Sequence, residues 1–164
     1  MDVREIFKKE LGNVYEVSLN TGKSILNNLP PQFEIKDILI DKDGNWFLDG
    51  LPTNPLRASK QIDVFFNCLH GSYGEDGQVQ QILDYLHVPY TGSGPQCLAY
   101  CYDKSLIRGI AKEMKIPVPD AFFIKPEDDI FSLSLNFPVI IKPNFGDSSF
   151  GITQNSVVFS PEEL

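Results

Sequence analysis

Apolar residues change their spacing several times along this chain, and each change marks a predicted element. From Ser18 to Leu29, the residues Leu19, Ile25, Leu26 and Leu29 keep a helical period. Pro30-Pro31 ends that run, since proline lacks an amide proton and clashes with the preceding turn. The triplets Ile38-Leu39-Ile40 and Trp46-Phe47-Leu48 flank the polar stretch Asp41-Lys42-Asp43-Gly44-Asn45 and read as a hairpin. Val64-Phe65-Phe66 is strand-like. Val79, Ile82, Leu83 and Leu86 then recur at i, i+3, i+4 and i+7, which predicts a helix over 78–86, and Pro89-Tyr90-Thr91 is strand-like again. Strand, helix and strand make one βαβ unit and imply a parallel sheet. A further helical stretch runs from about Pro95 to Met114, with a break expected near Tyr102-Asp103.

Pro117-Val118-Pro119 closes that stretch and suggests a domain boundary, giving parts 1–118 and 119–164. The second part is predicted to be β-rich, with strands at 121–124, 139–142 and 151–153. Pro161-Glu162-Glu163-Leu164 reads as the start of a helix, so the chain looks unfinished. The expected class is α/β.

Composition narrows the function classes. Apolar residues make up 42% of the 164, enough for a packed core. A net charge of −8 without a Lys/Arg stripe argues against a nucleic-acid surface. No apolar run approaches the roughly 18 residues of a membrane span, and Met1-Asp2-Val3-Arg4-Glu5 lacks the apolar core of a signal peptide. The three cysteines are odd in number and point to thiols in a reducing cytoplasm. Cys97 and Cys101 lack histidines at metal-site spacing. The 41–45 stretch resembles the start of a calcium loop, but Trp46 stands at the glycine position and Pro52 at that of the final glutamate, which rejects an EF-hand.

Three motifs carry chemistry. His70-Gly71-Ser72-Tyr73-Gly74-Glu75-Asp76-Gly77 joins a predicted strand to a predicted helix, the place where open α/β sheets bind ligands. A plain Gly-rich turn with solvated acids explains this octapeptide alone equally well. Val139-Ile140-Ile141-Lys142 delivers a lysine at a strand end, followed by Pro143-Asn144-Phe145-Gly146-Asp147-Ser148-Ser149-Phe150-Gly151. Backbone N–H groups and hydroxyls of such a loop can wrap phosphate oxygens while the lysine adds a point charge. The order differs from a Walker A loop, in which the lysine follows the glycines and opens a helix. Asp103-Lys104 offers a second cation, though surface helices commonly carry such a pair.

Together these residues resemble the D-alanine–D-alanine ligase family of ATP-grasp enzymes. That family reads His-Gly-x-x-Gly-Glu-Asp-Gly, Pro-Tyr-x-Gly-Ser-Gly, Asp-Lys and Lys-Pro-x-x-x-Gly-Ser-Ser-x-Gly in order. Here they match His70–Gly77, Pro89–Gly94, Asp103-Lys104 and Lys142–Gly151, with Glu16-Val17-Ser18-Leu19 matching the family's first helix. The resemblance implies a Rossmann-like, parallel-sheet N-terminal substrate domain over 1–118, then the first part of an ATP-grasp domain over 119–164. It implies that Lys104, Lys142, Ser148, Ser149 and Gly151 bind ATP, with Lys142 nearest the phosphates. His70 and Gly71 would flank the first D-alanine. Ser148 would lie on a loop closing over the γ-phosphate and that substrate, so Ser148 and His70 are the catalytic candidates.

Three departures from the pattern bear on function. The family's ammonium-gripping glutamate stands two residues before Glu-Val-Ser-Leu, and Val14 occupies that place here. Glu16, Glu10 or a shifted register would have to take over, which makes Glu16 a substrate-binding candidate. Asp147 replaces the first glycine of Gly-Ser-Ser. The family's Mg²⁺ ligands fall beyond residue 164, so no metal site is expected within this chain and the chain is not expected to turn over alone. The partners implied are D-alanine and ATP, with neither membrane nor nucleic acid, and a homodimer by family resemblance only. The competing readings are another ATP-grasp carboxylate–amine ligase and a truncated nucleotide-binding or interaction module. A Ser148/His70/Asp76 hydrolase lacks a Gly-x-Ser-x-Gly elbow, and a nicotinamide domain lacks Gly-x-Gly-x-x-Gly after its strand.

Overall fold

The structure, a computed structural model, describes residues 3–147, 149 and 151–164, with the main chain alone for 3–13 and for Phe131. Close contacts divide the chain into two compact units, residues 1–99 and 100–164.

In the first unit, α1 (Val3–Asn28) starts well before Ser18, because no proline interrupts the chain until Pro30. Its positions 14, 18 and 21 are spaced i, i+4 and i+7, so Val14, Ser18 and Thr21 share one face. The expected hairpin is β1 (Ile38–Ile40) paired antiparallel with β2 (Trp46–Leu48), with Ile38 opposite Leu48 and Ile40 opposite Trp46. Its turn is organised by Asp41, whose Oδ1 accepts the amides of Asp43 at 2.9 Å and Asn45 at 2.8 Å. These bonds to the charged form hold the Asp41 carboxyl below its ordinary range, the Asn45 side-chain bond foremost.

A third strand, β3 (Leu51–Thr53), extends this sheet beyond the hairpin the sequence predicts. Asp49 and Gly50 both take positive φ, at 50° and 78°, as a two-residue turn of the primed kind requires. The Asp-Gly dipeptide is the signal that could have found it. Pro52 is accommodated because β3 lies at the sheet edge. Asn54 then caps α2 (Pro55–Ser59), its Oδ1 accepting the Arg57 amide at 2.9 Å.

The predicted βαβ unit is present in reduced form. Phe65 and Tyr90 make one parallel bridge, through Phe65 N–H to Pro89 O at 2.8 Å and Thr91 N–H to Phe65 O at 2.9 Å. Between them, α3 (Gln78–Tyr85) buries Val79, Gln80 and Leu83. Trp46, Ala58, Val79 and Leu83 form the core, with Ile38, Ile40, Phe65, Leu69, Tyr73 and Tyr90 packed against it. Side chains the size of Val79 and Leu83 contribute about 1.5–3 kcal/mol each on full burial, so this small core fixes the sheet, α2 and α3 around the start of the His70 loop.

The boundary between units falls inside α4 (Pro95–Tyr102). The second unit holds α5 (Lys104–Glu113) and one antiparallel pair, β4 (Val139–Ile140) with β5 (Val157–Val158). The break predicted near Tyr102-Asp103 is real, and Asp103 is the cap of α5. Packing divides the chain ahead of Pro117 because residues 103–105 hydrogen-bond to Asn144. Three strand expectations need correction. Residues 121–124 form no strand, and Phe122, Phe123 and Ile124 stay exposed without a pairing segment among the described residues. The strand expected over 139–142 stops at Ile140, and 151–153 forms no strand, so β4 pairs with 157–158 instead. The terminal segment forms a short 3₁₀ turn over Pro161–Glu163.

Candidate functional site

The His70–Gly77 loop is built from contacts with itself, with α1 and with residues on either side of it. Gly71 N–H donates to Glu75 Oε2 at 2.6 Å, and Glu75 N–H donates back to Gly71 O at 2.8 Å. Asp76 accepts the amides of Tyr73 at 2.9 Å and Gln78 at 3.0 Å, and the Gln78 side-chain amide at 2.7 Å. Both carboxylates therefore bind loop amides, a structural employment the sequence does not reveal. Gly74 O accepts from Asn67 Nδ2 at 3.1 Å and from the buried Gln80 Nε2 at 2.6 Å.

The glycines are there for close approach. A Cβ on Gly71 would lie 2.7 Å from Val14 Cγ1, and one on Gly74 would lie 2.3 Å from Leu69 Cβ. A Cβ on Gly77 would lie 2.5 Å from Pro95 O, at a φ of +95° that L side chains rarely adopt.

His70 sits against α1. Its amide donates to Ser18 Oγ at 2.9 Å, and Ser18 O–H donates to Val14 O at 3.0 Å. The ring places Nε2 3.1 Å from Thr21 Oγ1 and Nδ1 3.7 Å from Glu75 Oε1. His70 and Gly71 are thus brought together with α1. Glu16 is not: it is exposed, and two positions from Val14 it lies about 200° round the helix. Ser18 and Thr21 both contact His70 and were missed, although their i, i+3 spacing beside the Glu-Val-Ser-Leu motif was available.

The second unit gathers another group. Asp103 Oδ1 accepts the amides of Ser105 and Leu106, both at 3.0 Å, the Ser105 hydroxyl at 2.7 Å and Asn144 Nδ2 at 2.9 Å. The Leu106 amide above all, then Ser105 and Asn144, hold its carboxyl below the usual range. Asn144 O accepts from Lys104 N–H at 3.0 Å, and Lys104 Nζ donates to Gly146 O at 2.6 Å. Asn144, unremarked in the sequence, is the hub that fastens the loop to the start of α5.

Of the predicted ATP-binding residues, Lys104 therefore touches the loop directly. Lys142 is exposed two residues past β4, and Ser149 is exposed with φ at 62°. Gly151 is pressed on Pro143, where a Cβ would lie 2.7 Å from Pro143 Cγ. Ser148 lies outside the described residues. Asp147 Oδ2 is buried and has no hydrogen-bond partner among the described residues. Among the described residues no three His, Cys, Asp or Glu side chains gather as a metal site. No helix among them is long and apolar enough to cross a membrane.

Residues 49–93 match the family described as D-ala D-ala ligase N-terminus. A D-alanine–D-alanine ligase of Clostridium botulinum (strain Loch Maree) is 37% identical over 138 residues, which is 82% of this chain and 43% of that protein. The crystal structure of the Bacillus anthracis D-alanine–D-alanine ligase complexed with ATP matches at a TM-score of 0.70 and 30% identity, covering 90% of this chain and 47% of that one. The VanG D-Ala:D-Ser ligase of Enterococcus faecalis matches at 0.70 and 28%, covering 85% and 51%. The fold is thus the α/β class expected, an N-terminal domain leading into the start of an ATP-grasp domain. The chain spans less than half the length, 43%, of the curated relatives it matches. It belongs to the D-alanine–D-alanine ligase family, whose N-terminal portion it matches.

Proposed function

We propose that this chain carries the first-substrate and phosphate-loop parts of a cytoplasmic, ATP-dependent ligase that joins two D-alanines for peptidoglycan. The observation that supports this best is the fastening of the 144–146 loop to Asp103-Lys104. It sets a cation and a Gly-containing loop together, as phosphate binding demands. In the proposed reaction, a carboxylate oxygen of the first D-alanine attacks the γ-phosphorus and ADP leaves, giving an acyl phosphate. The amine of the second D-alanine then attacks the acyl carbon, phosphate leaves, and the amine loses a proton. Such chemistry relies on positioning and charge neutralisation rather than a protein nucleophile. Lys142 and Lys104 would meet phosphate oxygens; Ser148, Ser149 and Gly151 would line the closing loop; His70 and Gly71 would border the first substrate. The domain division at 118/119, a homodimer, and Mg²⁺ ligands supplied from outside these residues complete the proposal, so the chain alone is not expected to turn over.

Calorimetric titration with ATP tests it. The chain should bind nucleotide, and Lys142→Ala should weaken binding about tenfold, the loss of one charge-assisted contact of about 1.4 kcal/mol. An affinity unmoved by Lys142→Ala would remove its phosphate role. A second reading, a related carboxylate–amine ligase with a different substrate, is favoured by Val14, whose methyl group packs over Gly71 and cannot pair with an ammonium. A titration with D-alanine against D-serine and D-lactate separates the two.

A further inference from the structure

His70 is hydrogen-bonded at two points and faces a carboxylate at a third, and Thr21 is the least expected of these neighbours. Its main chain is fixed by Ser18 Oγ at 2.9 Å, its Nε2 faces Thr21 Oγ1 at 3.1 Å, and its Nδ1 faces Glu75 Oε1 at 3.7 Å. We infer that Thr21 is a positioning residue that sets the tautomer of His70, donating its hydroxyl proton to Nε2 while Nδ1 keeps the ring proton.

The assignment follows from counting donors and acceptors. Glu75 Oε2 accepts the Gly71 amide at 2.6 Å, and this places Oε1 opposite Nδ1. An ionised carboxylate can only accept, but at 3.7 Å it lies beyond hydrogen-bond reach. It only tilts the neutral ring toward a proton on Nδ1, leaving Thr21 to decide the tautomer. Nε2 is then a bare lone pair, and the hydroxyl beside it rotates to donate. Without that hydroxyl, the ring returns to the Nε2–H form that free histidine prefers. Ser18 acts one turn earlier on the same helix face. Its proton is committed to Val14 O at 3.0 Å, leaving its oxygen to accept the His70 amide. Two hydroxyls on α1 thus fix the main chain and the ring separately. Resting on the ligase reading, the consequence is chemical: a ring held in this tautomer offers an incoming ammonium an acceptor nitrogen in exchange for the Thr21 hydroxyl. That offsets in part what Val14 cannot supply.

Long-range ¹H–¹⁵N imidazole spectra of the ¹⁵N-labelled chain, taken where the ring is neutral, read the tautomer directly. His87→Asn removes the signals of the only other histidine. The native chain and Thr21→Ser should show mainly Nδ1–H, and Thr21→Val should shift the population to mainly Nε2–H. Thr21→Ala replaces the valine variant if that one does not fold. A native ring already in the Nε2–H form, or one that stays Nδ1–H without the hydroxyl, overturns the assignment. Adding D-alanine tests the ligase reading separately. Movement of the His70 ring signals supports that reading; their immobility, with Nδ1–H intact, overturns it and leaves the role of Thr21 standing.

Discussion

The loops 70–77 and 144–151 are both rich in glycine and hydroxyls, yet they use those residues in opposite ways. In the first, Gly71, Gly74 and Gly77 are jammed against Val14, Leu69 and Pro95, and both carboxylates are taken up by loop amides. In the second, Asn144 and Gly146 meet Asp103–Ser105, Ile152 N–H donates to Ser149 O at 3.0 Å, and the flanking strand pair has two residues a side. The first loop is satisfied largely by its own amides, whereas the second is bonded to the start of α5. Composition alone cannot separate these cases, because what decides is which amide each carboxylate finds.

Gly77→Ala should break the first loop most severely. The left-handed backbone adds about 1–2 kcal/mol of strain, and overlap with the Pro95 carbonyl adds about 1–3 kcal/mol more. Gly92 is the control, since it has a φ of +106° but nothing within 4 Å of where a methyl group would sit. Gly92→Ala should therefore cost only the strain. Urea denaturation followed by Trp46 fluorescence compares them, and equal midpoints would dismiss close packing as the reason for Gly77.

The mooring of the second loop can be loosened without touching the first. Lys104→Met removes the bond from Nζ to Gly146 O, so amide exchange over residues 145–147 should speed up about tenfold, the loss of one charge-assisted bond. Lys142→Ala should leave that exchange rate alone, because Lys142 stands exposed beyond β4. Faster exchange in both variants, or in neither, would erase the distinction between a mooring lysine and an exposed one.

A gentler probe is pH. The Asp103 carboxyl is lowered in the folded chain, by the Leu106 amide first. Its stabilising contribution is fully present above the unfolded value of about 3.9 and is lost as pH falls through the lower folded value. Stability should therefore decline on acidification below about pH 4, and Asp103→Asn should flatten that decline while lowering Tm by a few degrees at neutral pH. A decline of unchanged steepness in the variant would assign it to other carboxylates.

The sequence was most legible where chemistry and chain order coincide. The His70–Gly77 octapeptide, the 38–48 hairpin and the break at Asp103 were all read from local signals. Residues 121–124 were not, since an apolar run is a strand only when another segment pairs with it, and exposed Phe122 and Phe123 find none among the described residues. The bonds of Glu75 and Asp76 to loop amides were not legible, because a loop's internal bonds depend on its turn geometry. Thr21 escaped notice because its partner lies 49 residues away in sequence.

The smallest expected effect concerns two helix ends built alike in the two units. After α3, His87 takes a φ of 55°, and Val88 N–H reaches Leu83 O at 3.1 Å; after α5, Lys115 takes 59°, and Ile116 N–H reaches Ala111 O at 2.9 Å. Both are Schellman closures with a non-glycine residue in the left-handed position, each followed by a β-branched residue and proline. Glycine would relieve about 1 kcal/mol of strain but enlarge the unfolded ensemble by about half that. His87→Gly and Lys115→Gly should thus each stabilise by only about 0.5 kcal/mol. The ends differ in the next residue, since Val88 is buried and Ile116 is half exposed. The gain from His87→Gly should therefore vanish in a Val88→Ala background, whose α3 closure has lost its apolar anchor, while that from Lys115→Gly should survive Ile116→Ala. Thermal melts of the four variants and two doubles decide it, and identical coupling at both ends would show that the closures draw nothing from the packing behind them.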